Sequence, residues 1–181
     1  MTDTLHPRIL ELLTELDRTQ QEMHAMLATL PSGHANTVVR DGGWSVAQVV
    51  EHLLLVEDGT GRLISTLIKQ TEGTTDAETD PVLPTLASLR ITDSVGHPIS
   101  APPSVTPKGE MSLADAMAAQ QTARERVMTA FTKGSGRALG ALSYPHPILG
   151  SLNTYQWGHF LALHQQRHMV QLRSILSQLP V

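Results

Sequence analysis

Two histidines four residues apart, His164 and His168, are the residues whose spacing most directly suggests chemistry. On a helix, an i, i+4 step places two imidazoles on one face about one turn apart, so two ring nitrogens reach a single ion. Stepping by three or four gives Trp157, Leu161, His164, His168, Leu172, Ile175 and Leu179, an apolar stripe that should face a core. A third histidine, His52, shares a helical face with Val49, Val56 and Leu63. An inward neutral imidazole needs partners at both ring nitrogens, and leaving them unpaired is costly. One divalent ion satisfies a nitrogen on all three rings at once.

Taken singly, each feature has a plainer reading. A lone i, i+4 pair is more often incidental than a site, and a core-facing histidine is more often hydrogen-bonded to a carbonyl. The combination on two inward faces is what favours a metal. The pair also has the spacing of the zincin pattern H-E-x-x-H, but Gln165 stands where that pattern has its general base. An amide cannot take the proton, which excludes a zincin-type protease. His159 lies about 140° around the helix from His164 and is expected at the surface or behind the ligands. His97 and His146 fall in connecting segments that could approach the site, although loop histidines are usually solvated, and His6, His24 and His34 carry no signal. Glu51 and Glu57 flank His52 and could support it from behind, but a charge on the exposed face of the helix is the expected role; Trp44 and Trp157 are expected in the core.

Four helices must position these side chains. The first runs from about Pro7 to Leu30, with Pro7 in its first turn and Pro31 as its stop. The second runs from about Val46 to Gln70, opened by a Ser45–Gln48 capping box and followed by Gly73. The third, about Leu113 to Lys133, starts at a Ser112–Asp115 pair and ends before Gly134; the fourth, about Thr154 to Gln178, precedes Pro180. Between the second and third lie some forty residues, Thr71 to Glu110, with six of the eleven prolines. If those two helices point the same way, the chain must return along the bundle, roughly 30 Å or more, and an extended Pro-rich crossover does so. The shorter connections, Pro31 to Trp44 and Gly134 to Asn153, suit antiparallel neighbours. The predicted fold is a single all-α domain over 1–181, a four-helix bundle of up-down-down-up order. The crossover and the Gly134–Asn153 connection are the material available to shape a cleft at the metal.

Composition bounds the function classes. The 181 residues are 40% hydrophobic and 17% charged, with only two each of Trp, Tyr and Phe, so the core rests on aliphatic side chains. The net charge of −4 and the lack of a basic cluster argue against nucleic acid as a partner. The absence of cysteine excludes disulfides, a thiolate nucleophile and a Cys-ligated metal. No apolar run is long enough to span a bilayer and the N-terminus has no leader pattern, so a cytoplasmic location is expected.

The motifs resemble a known family. Gly43-Trp44-Ser45-Val46-Ala47-Gln48 leading into Glu51-His52-Leu53 is similar to the start of the second helix in the DinB-like superfamily. Pro145-His146-Pro147-Ile148-Leu149-Gly150-Ser151-Leu152, then Tyr155-Gln156-Trp157, His164-x-x-x-His168 and Gln171, resembles its C-terminal signature. The resemblance implies an up-down-down-up four-helix bundle with metal ligands at His52, His164 and His168. It also implies relatives that are S-transferases using low-molecular-weight thiols such as bacillithiol or mycothiol, and others that are metal-dependent hydrolases.

A three-histidine set leaves a coordination position open, the pattern of catalytic rather than structural ions. The preferred reading is an enzyme that transfers a low-molecular-weight thiol to an electrophilic small molecule, with the metal generating the thiolate. Hydrolysis at the same metal is the alternative, and a non-catalytic stress-response protein that binds a metal or small ligand is a third reading. Zinc or nickel suits an all-imidazole site best, with manganese or iron also accommodated. A small-molecule substrate, a thiol and a homodimer are the expected partners. No side chain in these patterns is assigned as a general base.

Overall fold

In a computed structural model, which describes residues 5–73 and 100–180, local capping chemistry fixes where each helix begins. Helix α1 spans Pro7–Leu27, α2 Val46–Gln70, α3 Leu113–Lys133 and α4 Thr154–Leu176. Two of the four starts are full capping boxes. The Ser45 hydroxyl accepts from the Gln48 backbone N–H at 3.3 Å while the Gln48 side chain accepts from the Ser45 N–H at 2.9 Å. Asn153 and Gln156 make the same reciprocal pair at α4, both bonds being 2.9 Å. Ser112 caps α3 by accepting from the Asp115 N–H. The end of α1 comes earlier than the sequence suggests: after Leu27 the chain tightens into i→i+3 bonds from Thr29 to Met26 and from Leu30 to Leu27.

The molecule is a four-helix bundle with one addition. Within the 134–153 connection, β1 (Ser143–His146) and β2 (Gly150–Asn153) form an antiparallel hairpin in which His146 pairs with Gly150 and Ser143 with Asn153. Gly150 has φ +80°, a left-handed conformation that closes a three-residue hairpin loop at little cost in glycine. The Trp157 indole N–H donates to the Tyr144 carbonyl at 3.2 Å and ties the hairpin to α4. Helix contacts define the register. Along α2 and α3 the meeting points advance together, Glu57 with Arg124, Gly61 with Val127 and Ile68 with Gly134, so these helices run parallel. Leu12 with Gly158 and Thr19 with Gln165 show the same sense for α1 and α4. At Gly158 α4 lies close against its neighbours: a Cβ there would come within 2.6 Å of Phe131 and 2.8 Å of Leu12. Most of the Pro-rich crossover, residues 74–99 with His97, lies outside the described residues. No helix of the described residues is long and apolar enough to cross a membrane.

Two apolar clusters build the core. One gathers Ile9, Leu12, Leu16, Ile64, Phe131, Trp157 and Phe160 toward the hairpin. The other gathers Met23, Val46, Val49, Leu53, Met169 and Leu172 toward the start of α2. Each fully buried aliphatic side chain here stabilises the fold by roughly 2 kcal/mol relative to exposure. Between the clusters lies a polar layer contributed by all four helices. Arg124, 1% exposed, donates to both carboxylate oxygens of Glu57 at 2.6 and 2.9 Å. It also donates to the Leu16 carbonyl at 2.5 Å and the Gln165 side chain at 2.6 Å. Gln165 in turn donates to the Thr19 carbonyl at 3.1 Å, and Gln20 donates to Gln120 at 2.6 Å. Glu57 is therefore buried, not on the exposed face that its helical position suggested; a guanidinium from a helix remote in sequence pairs with it.

Because the pair is buried, removing one partner strands the other. Glu57→Gln should destabilise the protein by about 3–5 kcal/mol in denaturant unfolding, whereas a double replacement of Glu57 by Leu and Arg124 by Met should cost far less. Equal losses in the single and double variants would show that the pair is not the stabilising unit.

Candidate metal centre

His52 on α2 and His164 and His168 on α4 converge in the seam between the two apolar clusters. His52 Nε2 lies 3.3 Å from His164 Nε2, and His168 Nε2 lies 3.2 Å from the same atom. The three candidate ligand nitrogens are all within 4.8 Å of one another. An ion held tetrahedrally by nitrogens at about 2.0–2.1 Å spaces them about 3.3–3.4 Å apart, so the two short separations fit such a donor set. His52 and His168 are buried, and His164 is partly exposed where the group meets a cleft.

The protonation pattern strengthens the fit. His52 Nδ1–H donates to the Val105 carbonyl at 2.7 Å, and His168 Nδ1–H donates to the Gln171 amide oxygen at 2.8 Å. With the proton on Nδ1, both rings present an Nε2 lone pair to His164. A single proton on His164 Nε2 can satisfy one of those lone pairs but not both. A cation satisfies all three nitrogens together. The surroundings favour neutral rings: burial pushes the His168 imidazole down to about 4, with the neighbouring His52 adding to the effect. Burial, and then His168 and His52, hold His164 well below its ordinary value. Burial also lowers His52, partly offset by its bond to Val105. Neutral imidazoles are the form that binds metal.

Several residues around the three histidines sit elsewhere than the sequence suggests. Glu51, like Glu57, is buried: its carboxylate accepts from the backbone N–H groups of Lys108 and Gly109 at 2.9 and 2.8 Å. That bond pins the chain just past the short 3-10 turn Pro103–Val105, whose last carbonyl orients His52. The pairing depends on tertiary structure and has no local signature. Gln171, one turn beyond His168, was legible as an i, i+3 neighbour. His159 is only 4% exposed, with its Nδ1 unpartnered, and is not a surface residue; it lies on the side of α4 toward Glu11 and Glu15 of α1. His146 is not a solvated loop residue either. It belongs to β1 and packs on Trp157 and Phe160, with ring centroids 5.1 and 4.7 Å apart. Trp157 is a core residue, as expected, but Trp44 is only partly buried and rests on His52, 4.9 Å between centroids.

Above the three nitrogens opens a cleft of about 1400 Å³, walled by Gly43 and Trp44, Val105, the hairpin tip with His146 and Ile148, and the exposed side of α4. Among the described residues, no Asp, Glu or further His joins the three as a fourth ligand.

A family model described as the DinB superfamily matches residues 15–172. A crystal structure titled TT2238, a four-helix bundle protein, aligns with a TM-score of 0.62 at 22% identity, covering 92% of this chain and 98% of that one, a likeness of fold. No curated protein matches the chain.

Two outcomes follow from the geometry. Purified protein loaded with zinc or nickel should hold one ion per chain, and His52→Ala should abolish stoichiometric uptake; unchanged metal content in that variant would misassign the site. Metal-free protein should also lose stability in acid. The rings stay neutral in the folded state but charge near pH 6.5 when unfolded, so unfolded chains take up protons first. Stability is therefore fully present above about pH 6.5 and declines as pH falls toward about 4, and replacing His164 and His168 by Gln should flatten that decline in a pH series of thermal melts.

Proposed function

The chain belongs to the DinB superfamily, and on that premise we propose that it is a divalent-metal enzyme that transfers a low-molecular-weight thiol to an electrophilic small molecule. The observation that carries the reading is the setting of the three histidines. Three Nε2 atoms meet at the floor of a cleft of about 1400 Å³, larger than the roughly 300–1,000 Å³ of most small-molecule pockets. A cleft of that size has room for two organic reactants side by side, which thiol transfer requires.

His52, His164 and His168 would hold the ion, and the donor set suits zinc or nickel, with manganese or iron also accommodated. When bound, such an ion lowers the pKa of a thiol or water beside it and polarises an electrophile. The protein's own side chains prepare the place. Val105 and Gln171 fix the tautomers of His52 and His168, so that lone pairs face inward. Trp44 lies over His52 and 6.5 Å from the His168 ring, and Phe160 lies 5.3 Å from the His164 ring. These apolar faces limit water around the ligands and keep the local dielectric low. The chain has no cysteine, so the sulfur must come from outside. A sulfur–carbon bond then forms as the leaving group departs with its bonding pair and the thiol proton passes to solvent.

The reading is tested by turnover of metal-reconstituted protein against a panel of thiols and electrophiles. Rates should depend saturably on one thiol, vanish on chelation, and persist below the free thiol's pKa of about 8.5. Metal-dependent turnover that is equally fast without any thiol would assign hydrolysis instead. A full metal site with no turnover in either assay would leave a binding protein.

A further inference from the structure

The hairpin places a fourth histidine in the wall of the same cleft, in the opposite tautomer. His146 Nδ1 accepts from two backbone N–H groups of its own turn, Ile148 at 3.1 Å and Leu149 at 3.2 Å. Two donors aimed at Nδ1 leave no room for a proton there without unpairing both. The neutral ring must then carry its hydrogen on Nε2. Burial holds the ring below its ordinary pKa, in keeping with a neutral form. The ring packs on both Trp157 and Phe160, and Phe160 is the residue that also packs on His164. His146 lies in the wall of the same cleft, and among the described residues its Nε2 meets no protein acceptor.

We propose that His146 is a substrate-binding residue whose Nε2–H donates a hydrogen bond to an acceptor oxygen, carbonyl or carboxylate, of the molecule that occupies the hairpin side of the three-histidine centre. The inference rests on the metal reading above and adds to it the chemical class of the substrate: one with an oxygen acceptor in addition to the group that meets the ion. A neutral imidazole held in one tautomer by backbone N–H groups is a fixed donor that needs no reorganisation when charge builds on that oxygen.

Two isosteres separate this role from a purely structural one. Asparagine places an amide oxygen near the Nδ1 position, so His146→Asn keeps the turn capped but removes the far donor. Glutamine places an amide N–H near the Nε2 position, so His146→Gln restores the donor but uncaps the turn. The probes are oxalate, malonate and succinate, titrated into cobalt-loaded protein and followed by the visible spectrum of the ion, with acetate as a control too short to reach the hairpin. At least one dicarboxylate should bind about tenfold or more weaker to the Asn variant, the effect of losing a hydrogen bond to a charged group, and within a few-fold of wild type to the Gln variant. Acetate affinity and cobalt content should not change, and the Gln variant alone should show a lowered Tm. Equal affinities for all three dicarboxylates in wild type and His146→Asn would overturn the inference while leaving the metal reading intact. Protein that takes up no cobalt would overturn both. A ¹⁵N-histidine spectrum of the metal-free protein supplies a separate check: His146 should appear as the Nε2–H tautomer, and an Nδ1–H signal would refute the donor role.

Discussion

A buried guanidinium sets the terms for this fold. Arg124 has its five N–H donors in the middle of a bundle whose layers above and below are apolar, and such a group is tolerated only when paired and hydrogen-bonded. Its partners come from three other helices: Leu16 and Thr19 on α1, Glu57 on α2, Gln165 on α4. A slip of one helix by a residue would swing its contribution about 100° away and strand the charge. The network therefore fixes the relative register of the four helices. Gln165 is bonded within it and is the neighbour of His164, and Glu57 stands five residues from His52. The same interaction that locks the bundle thus aligns the two helices whose imidazoles must meet.

The seam between the apolar clusters has a second consequence. Polar side chains in one layer leave that layer with weaker apolar packing than its neighbours, and the bundle opens there on one side into the cleft. On the closed side, Arg124 donates to Glu57 and Gln165, and Gln120 donates to Glu57; on the open side the three histidine Nε2 atoms face each other. The closed side contains both signs within hydrogen-bonding distance, whereas on the open side His52 and His168 turn lone pairs toward His164, with Arg167 in the cleft wall nearby. The converging lone pairs, rather than net charge, are what suit that side to a metal ion.

How much of this was legible depended on whether the causes were local. Helix starts at Ser45 and Ser112 are written in three-residue patterns, and the inward faces of His52, His164 and His168 follow from aliphatic neighbours at helical spacing. The Asn153–Gln156 box obeys the same rule and sharpens the start of α4. What stayed hidden was long-range. Nothing near Glu57 announces Arg124, sixty-seven positions away, so a carboxylate destined for the interior read as a solvated charge. Glu51 was misread for the same reason, its partners being backbone amides beyond the second helix. The hairpin was missed because Pro145 and Pro147 are poor strand formers; only its short length, its Gly150 turn and its anchorage on Trp157 make it hold.

The chemistry of a histidine in this site is decided by the nitrogen that points away from the centre. Val105 and Gln171 present oxygens, so His52 and His168 keep their protons on Nδ1 and turn lone pairs inward. Ile148 and Leu149 present N–H groups, so His146 keeps its proton on Nε2 and turns a donor outward. The three rings share one side-chain type and one low-dielectric surrounding, yet two become candidate ligands and the third a hydrogen-bond donor. The choice is made by main-chain and amide groups whose own geometry is set elsewhere, by the Glu51 clamp on residues 108 and 109 and by the left-handed Gly150 that closes the hairpin. A substitution at either support, although it touches neither cleft nor ligand, would act on the site by letting an imidazole choose the other tautomer.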